Sequence, residues 1–325
     1  MFRATFAAAW GRKRRLAATA LAVLLGVAFL AATLVLGDSA RAGFATVFAE
    51  ANAGTDAFVR SASRFTAAEE PARPPVDAAL VAAVAAVDGV AAAAPTVEGT
   101  GQVLDARGRT IGGNGPPTVA AAWIAEPALT GWALAGGRPP TAPGEVVLDR
   151  RTAADAGAGL GGTVTVLVPR PVAATVVGIA TFGGRDSLGG TTYAAFALEE
   201  AQRLLLGSTT LVSGVAVAAE DGVGQDELVR RLGEVLPAGV EAVSGAALTR
   251  EQRADIEGDF LGFFTAALTA FAGVALLVAA FSIFNTFSIL VAQRTAESAL
   301  LRALGASRRQ VLASALAESA LVGVG

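Results

Sequence analysis

Residues 260–291, FLGFFTAALTAFAGVALLVAAFSIFNTFSILV, decide the architecture of this chain. The run contains no charged residue, and as an α-helix rising about 1.5 Å per residue it would be about 48 Å long. The hydrocarbon core of a bilayer is only about 30 Å thick. The sequence therefore predicts a transmembrane helix at 259–292, part of which protrudes from the membrane as a stalk.

A second apolar run, residues 16–36, lies near the N-terminus, directly after the basic residues 12–15. Its length as a helix would be about 31 Å, enough to cross a bilayer core. Basic residues concentrate on the cytoplasmic side of a span, so we predict a cytoplasmic N-terminus at 1–15 and a transmembrane helix at 16–37. Residues 40–42, Ala-Arg-Ala, also fit a signal-peptide cleavage site, although the apolar part of a signal peptide is usually about 7–15 residues long.

Basic residues also follow the long apolar run, namely Arg294, Arg302, Arg308 and Arg309. The same charge rule places this end in the cytoplasm, so the two predicted spans agree with each other. Residues 38–258 are then predicted to be extracytoplasmic. Residues 41–257 include 16 arginines and 24 acidic residues, a balance of −8, and they are numerous enough to bury a hydrophobic core of their own.

The composition excludes several classes of function. Mean hydropathy is +0.56 and 53% of the residues are hydrophobic, which is typical of a membrane protein. The chain has no cysteine and no histidine, and its only lysine is Lys13; disulfides, a histidine general base, the usual zinc sites and a P-loop lysine further along the chain are therefore excluded. With a net charge of −3 we expect no nucleic-acid partner. We predict no catalytic residue, cofactor or metal, and no enzymatic activity in this chain.

The pattern between the two spans predicts an α+β domain, flanked by the transmembrane helices. Alternating or β-rich runs predict strands at 55–61, 97–105, 118–124, 145–148 and 215–219. Two further β-rich runs, 161–168 and 174–180, are predicted to form a hairpin. Apolar residues at helical spacing predict helices at 76–87, 151–158, 198–206 and 225–236.

Two features resemble functional motifs but have a simpler explanation. Gly157, Gly159 and Gly162 satisfy G-x-G-x-x-G, yet a helix precedes them and a strand follows, the reverse of the order in a dinucleotide site. The motif therefore predicts a helix-to-strand turn with a positive φ. Glu199 and Glu200 are adjacent, so their side chains point apart, and we predict solvated surface charge at both positions.

The order of these segments, with the sequence after residue 260, resembles the FtsX/MacB-type permeases of ABC transporters. At the C-terminal end the resemblance lies in Asn285, the pair Gln293-Arg294, Glu297, LLRALGASRRQVL at 300–312, and Glu318. In the central part it lies in residues 137–166, GRPPTAPGEVVLDRRTAADAGAGLGGTVTV, and in TVVGIATFGG at 175–184. Family members often have Gly-Asp where this chain has Gly161-Gly162, which suggests a turn rather than catalysis.

The resemblance implies that residues 293–316 form a cytoplasmic coupling segment that docks on a partner P-loop ABC ATPase. The residues that it assigns to coupling are Glu297, Leu300, Leu301, Arg302, Leu304, Gly305 and Arg308. The pattern agrees, since the leucines form an apolar patch too short to span a bilayer and Gly305 allows a change of direction between two helical pieces. The arginines fit anionic lipid headgroups equally well, so simple anchoring of the span remains an alternative.

The resemblance also implies a multi-pass protein of the bacterial cell membrane. Residues 317–325 are expected to begin a third transmembrane helix, so we expect the chain to be a truncated permease. Its partners would be the ATPase, a second permease copy or subunit, and membrane lipids. The implied activity is export or release of a lipid, lipoprotein, peptide or drug, driven by ATP hydrolysis in the partner.

Two other classes of protein fit parts of the pattern. A two-span sensor, with an extracytoplasmic ligand-binding domain, fits everything up to residue 291, but it would continue into a soluble output module. An extracytoplasmic enzyme on a membrane anchor would need a convergent polar cluster, and the central part of the chain has no histidine, cysteine or lysine to build one.

Overall fold

The computed structural model describes residues 13–67, 70–112, 117–256 and 262–303, together with 305, 307, 309, 310 and 313. Contacts divide the chain into two compact units. One comprises residues 1–42 and 256–325, and the other comprises residues 43–255, which we call the central domain.

Among the described residues there are seven α-helices. They are α1 (Lys13–Ala51), α2 (Leu80–Ala85), α3 (Arg150–Ala156), α4 (Leu198–Ala201, continued by a π-helical turn at Gln202–Leu206), α5 (Gln225–Val235), α6 (Gly245–Ile256) and α7 (Gly262–Ala303). A 3₁₀ turn at Pro127–Leu129 adds a further short element.

The described strands all belong to the central domain. In chain order they are β1 (Ala57–Ser61), β2 (Phe65–Ala67), β3 (Glu70–Ala72), β4 (Val76–Asp77), β5 (Val90–Thr96), β6 (Glu98–Thr100), β7 (Gln102–Leu104), β8 (Thr118–Ala122), β9 (Trp132–Gly137), β10 (Glu145–Asp149), β11 (Thr163–Val168), β12 (Arg170–Phe182), β13 (Thr192–Phe196), β14 (Leu211–Val212), β15 (Gly214–Ala219) and β16 (Val240–Ser244). The predicted α+β class is confirmed.

Helices α1 and α7 pack against each other within the first unit. The rings of Phe29 and Phe271 meet edge to face, with centroids 5.5 Å apart, and the small residues Ala272 and Ala279 are buried. By length and composition, Ala266–Asn285 is the one described stretch able to cross a membrane, and Leu24–Ser39 is a shorter apolar stretch. Helix α1 has 39 residues and α7 has 42.

The first sheet of the central domain is antiparallel, with strand order β16-β1-β15-β5. Helices α2 and α5 cover one face, where Val84, Leu228 and Leu232 pack on Val59 and Val217. The amphipathic pattern of α5 explains this cover, because its leucines at positions i and i+4 lie on one side of the helix. We call this sheet with its two helices the base sheet.

The second sheet closes on itself. Its strand order is β6-β8-β13-β10-β12-β11-β7, and β9 pairs with the second half of β12. Strand β6 pairs with β8, and strand β7 pairs with β11. Only Gly101 separates β6 from β7, so this one stretch of chain joins the two ends of the row of strands from β8 to β11. A Cβ at Gly101 would lie 2.3 Å from the Cβ of Ala120, so only glycine permits the bend that closes the sheet. We call this sheet the barrel.

Side chains alternate between the inside and the outside of the barrel, as the period of two residues in a strand requires. Leu148 and Phe196 point into the main core cluster, which contains most of the buried valines of this sheet. Val147 and Tyr193 point to the opposite face. There Trp132 of β9 stacks on Tyr193 with ring centroids 4.0 Å apart.

Several expectations from the sequence are confirmed, and two need correction. The hairpin is formed by β11 and β12, which pair antiparallel from Thr163↔Thr175 to Val168↔Arg170. The helix expected at 76–87 is shorter, because Val76 pairs with Val212 in a small two-stranded sheet and α2 begins only at Leu80. Glu200 is buried rather than solvated, since α4 turns it toward the barrel and both its carboxylate oxygens accept the N–H of Gly144 at 2.9 Å.

The glycine motif is a turn, as predicted. Gly157 ends α3 with φ 66°, and its N–H donates to the last turn of that helix. Strand β11 starts at Thr163, so the element order is helix, turn, strand. This arrangement offers no helix N-terminus to a phosphate.

Candidate functional site

The two segments that connect the central domain to α1 and α7 are hydrogen-bonded to each other. Asn52 follows the last residue of α1, and α6 precedes α7 in the chain. The side-chain amide of Asn52 donates to Thr249 Oγ1 at 3.0 Å and to Gln252 Oε1 at 2.7 Å, both on α6. We call residues 52–56 and 245–256 together the junction.

Backbone contacts bring the junction segments still closer. The N–H of Gly245 donates to the carbonyl oxygen of Asp56 at 2.9 Å. A Cβ at position 245 would lie 1.9 Å from the carbonyl oxygen of Thr55, so no other residue fits without moving the backbone. The carboxylate of Asp56 accepts the N–H of Ala219 at 2.9 Å, which fixes the same segment to β15 of the base sheet.

A network of ion pairs ties α6 to the base sheet. Arg60 of β1 has a side chain only 8% exposed, and it donates to Glu241 of β16 at 3.0 Å and to Glu251 of α6 at 2.5 Å. Arg73 binds the same two carboxylates at 3.2 and 3.0 Å, and Arg64 binds Glu251 at 3.1 Å. Each of these two carboxylates binds more than one guanidinium, so α6 is held on the edge of the base sheet by several charge-assisted hydrogen bonds.

The environment of Glu251 shifts its pKa. Burial raises the pKa, but hydrogen bonds from Arg60 and Arg73 outweigh that effect and leave it below the usual value of 4.5. A carboxyl group with a lowered pKa stabilises the fold above its usual pKa and loses that contribution as pH falls through the lowered value. The junction is therefore held most firmly near neutral pH.

Changing Glu251 to Gln should lower the melting temperature at pH 7 by roughly 2–5 °C, because the nearly buried Arg60 loses a charged partner. The difference from the unchanged protein should begin to shrink as pH falls below the usual carboxyl pKa of 4.5, and it should be lost as pH falls through the lower pKa of Glu251 in the folded protein. Thermal unfolding at a series of pH values checks this, with Glu220→Gln, an exposed carboxylate at the end of β15, as the control. Equal differences at pH 7 and at low pH would contradict the role given to this carboxylate.

The residues assigned to coupling lie at and beyond the end of α7. Glu297, Leu300, Leu301 and Arg302 belong to its last turns, since α7 runs to Ala303. The coupling segment therefore begins as a continuation of the long helix and not as a separate short helix. Leu304 and Arg308 lie outside the described residues.

The chain turns after α7. Gly305 has φ 97°, a conformation that glycine adopts readily. The next residues form a capping box, because Ser307 Oγ accepts the N–H of Gln310 at 3.4 Å while Gln310 Oε1 accepts the N–H of Ser307 at 2.9 Å. Residues 309, 310 and 313 are helical, so a second helical piece starts at Ser307.

Comparisons with known proteins agree with this layout. The family model described as MacB-like periplasmic core domain matches residues 16–235. The model described as FtsX-like permease C-terminal matches residues 269–325. This chain belongs to the FtsX/MacB-type permease family.

An uncharacterised ABC transporter permease protein of Mycobacterium tuberculosis is 29% identical to this permease over 197 residues, which are 57% of this chain and 21% of the relative. The chain thus spans about a fifth of the length of that relative. Two solved structures are similar in fold. The periplasmic region of MacB from Actinobacillus actinomycetemcomitans has 13% identity and a TM-score of 0.42, covering 62% of this chain and 94% of that one. The extracellular domain of the noncanonical ABC-type transporter YknZ from Gram-positive bacteria has 15% identity and a TM-score of 0.37, covering 57% and 98%.

The sequence analysis did not predict two parts of this candidate site. The junction helix α6 lies at 245–256, between the two stretches that the family models match. Its partners, Asn52 and Arg60, are 197 and 191 residues away in the chain from the α6 residues that they bind, so no local pattern pairs them. The capping box could have been found, because Ser-x-x-Gln at 307–310 is the pattern that starts a helix.

Proposed function

We propose that this permease transmits ATP-driven motion from a separate P-loop ABC ATPase to its central domain. The N-terminus and residues 293–316 lie in the cytoplasm, and residues 38–258 lie outside the membrane. The ATPase supplies hydrolysis, and this chain supplies the moving parts. A second permease copy and membrane lipids complete the assembly, and the cargo is a lipid, lipoprotein, peptide or drug.

The observation that carries the proposal is the junction. Asn52 binds α6 directly, and Gly245 contacts the residues that follow α1. The segments leading to the two long helices therefore meet at one place on the base sheet, instead of entering the central domain separately. If either long helix moves, the junction is the first part of the central domain that the motion reaches along the chain.

The coupling segment provides the other end of the path. Residues 297–303 continue α7 without a break, and Gly305 with the Ser307 cap sets a new direction. We place the docking surface for the ATPase at this helix end and at the turn that follows it. We assign the contact to Glu297, Leu300, Leu301, Arg302, Leu304, Gly305 and Arg308.

Co-purification tests this proposal. The permease is tagged, extracted gently from its own membranes, and a P-loop ATPase is expected to accompany it. Leu301→Asp should weaken binding of the ATPase at least tenfold, a loss of about 1.4 kcal/mol or more of binding free energy, because it places a carboxylate in the proposed apolar contact. The amount of ATPase recovered should fall accordingly.

Ala299→Asp is the matched control. Position 299 is exposed and lies about 200° around the helix from position 301, so the same charge is added on the opposite side. Recovery of the ATPase with this variant should equal that of the unchanged permease. The absence of any ATPase from all three preparations would contradict the proposal.

A further inference from the structure

A glycine-flanked loop of the barrel contacts the end of α1. Residues 183–190, GGRDSLGG, connect β12 to β13, and we call them the glycine loop. Gly183, Gly184, Gly189 and Gly190 have φ of 52°, 79°, 58° and 86°. Four positive φ angles in two pairs define a specific loop shape that other residues would strain.

Two contacts join this loop to α1. The guanidinium of Arg185 pairs with the carboxylate of Glu50 in the last turn of the helix. Gly189 packs against Val47 one turn earlier, where a Cβ at position 189 would lie 3.2 Å from Val47 Cγ2. The two contacts are on neighbouring turns of α1, so the loop lies along the helix.

The same loop is fixed to the barrel through α3. The carboxylate of Asp186 accepts Arg150 NH1 at 2.8 Å, and its carbonyl oxygen accepts the N–H of Arg151 at 3.1 Å. Arg150 and Arg151 are the first residues of α3. Arg185 thus binds α1, and the next residue of the loop, Asp186, binds the barrel through α3.

A second barrel segment touches the chain just after α1. The 3₁₀ turn Pro127–Leu129 links β8 to β9, and Leu129, 3% exposed, packs on the face of the base sheet opposite α2 and α5. A Cβ at position 54 would lie 2.0 Å from the carbonyl oxygen of Ala128 in this turn, so Gly54 and the turn are in close contact. The barrel therefore meets the α1 end of the chain at two separate points.

We propose that the glycine loop is a latch through which α1 positions the barrel directly, while α6 positions the base sheet through the junction. In this arrangement each sheet has its own connection to a long helix. The inference rests on the proposed function, in which the long helices carry motion to the central domain. The side chains of Arg185 and Glu50 are 52% and 37% exposed. An ion pair in water is weak, so the latch can open when the helix moves.

Distance measurements between spin labels test the latch without any ATPase. The chain has no cysteine, so labels go only where cysteine is introduced, at the exposed positions Ala49 on α1, Thr163 on the barrel and Val235 on the base sheet. Glu50→Arg places two like charges together. It should broaden the 49–163 distance distribution and leave the 49–235 distribution unchanged.

The charge swap is the decisive control. Glu50→Arg combined with Arg185→Glu should narrow the 49–163 distribution again, while Arg107→Ala, an exposed arginine elsewhere in the barrel, should change neither distance. An unchanged 49–163 distribution in Glu50→Arg, equal broadening of both pairs, or no restoration by the swap would each overturn the latch. None of these outcomes bears on ATPase binding, so the proposed function stands or falls separately.

Discussion

Asp149→Ala should lower the free energy of unfolding of the central domain by about 2–4 kcal/mol. For a domain of this size, that is a fall of roughly 5–15 °C in melting temperature. This is the largest loss of stability that we expect from a single side chain in this protein. Thermal unfolding of the purified permease, followed by tryptophan fluorescence, measures it.

The reason lies in the three elements that Asp149 connects. Its side chain is fully buried at the end of β10. One carboxylate oxygen accepts the N–H of Thr152 at 2.8 Å and so caps α3. The other accepts the hydroxyl of Thr152 at 2.5 Å and the N–H of Tyr193 at 2.8 Å. Alanine would leave two buried N–H groups without this acceptor.

Burial raises the pKa of Asp149, and the hydrogen bonds from Thr152 and Tyr193 oppose that increase. Asp155→Ala is the matched control, because it removes a carboxylate from the same helix at a position 54% exposed, where the carboxylate pairs with Arg151 at 3.7 Å. An equal, small effect of both changes would contradict the structural role of Asp149.

Gly245→Ala should destabilise the junction by about 3 kcal/mol, at the upper end of what overpacking usually costs. The added methyl group would sit 1.9 Å from the backbone carbonyl oxygen of Thr55. A flexible side chain could move aside, but a carbonyl in the segment between α1 and β1 cannot move without displacing Asp56 and its hydrogen bonds. We expect the two junction segments to separate.

Gly233→Ala is the control for this change. Gly233 is in α5, and a Cβ there meets no atom within 4 Å. Alanine in a helix is favoured over glycine by about 1 kcal/mol, so this variant should melt at the same or a higher temperature. The two variants are compared by thermal unfolding and by hydrogen exchange of residues 245–256, and similar behaviour of both would contradict the packing at Gly245.

Much of the fold follows from local patterns in the sequence. The β11–β12 hairpin alternates over its whole length and ends in a proline-containing turn, so its pairing needs no distant partner. Helix α5 is equally local, with Leu228 and Leu232 on one face. The closure of the barrel could not be predicted from local patterns. It depends on the close packing of Gly101 against Ala120, and a single glycine in the sequence does not indicate such a contact.

The candidate site divides in the same way. The arginines and leucines of residues 293–316 follow directly on an apolar run, and that pattern fits anchoring of the span as well as coupling. Their coupling role comes from the family resemblance and stays a prediction. The junction could not be predicted from the sequence, because Asn52 and Thr249 are polar residues with no distinctive neighbours, and only the fold brings them within 3.0 Å. Glu200 was misjudged for a related reason, since its burial depends on the barrel loop at Gly144.

We propose that nucleotide bound to the partner ATPase moves the central domain through the junction. Hydrogen exchange of the purified permease–ATPase complex, with and without a non-hydrolysable ATP analogue, tests it most directly. We expect exchange to change at residues 52–56 and 245–256, although the nucleotide binds to a different subunit. A nucleotide-loaded complex with unchanged exchange throughout residues 43–255 would contradict it.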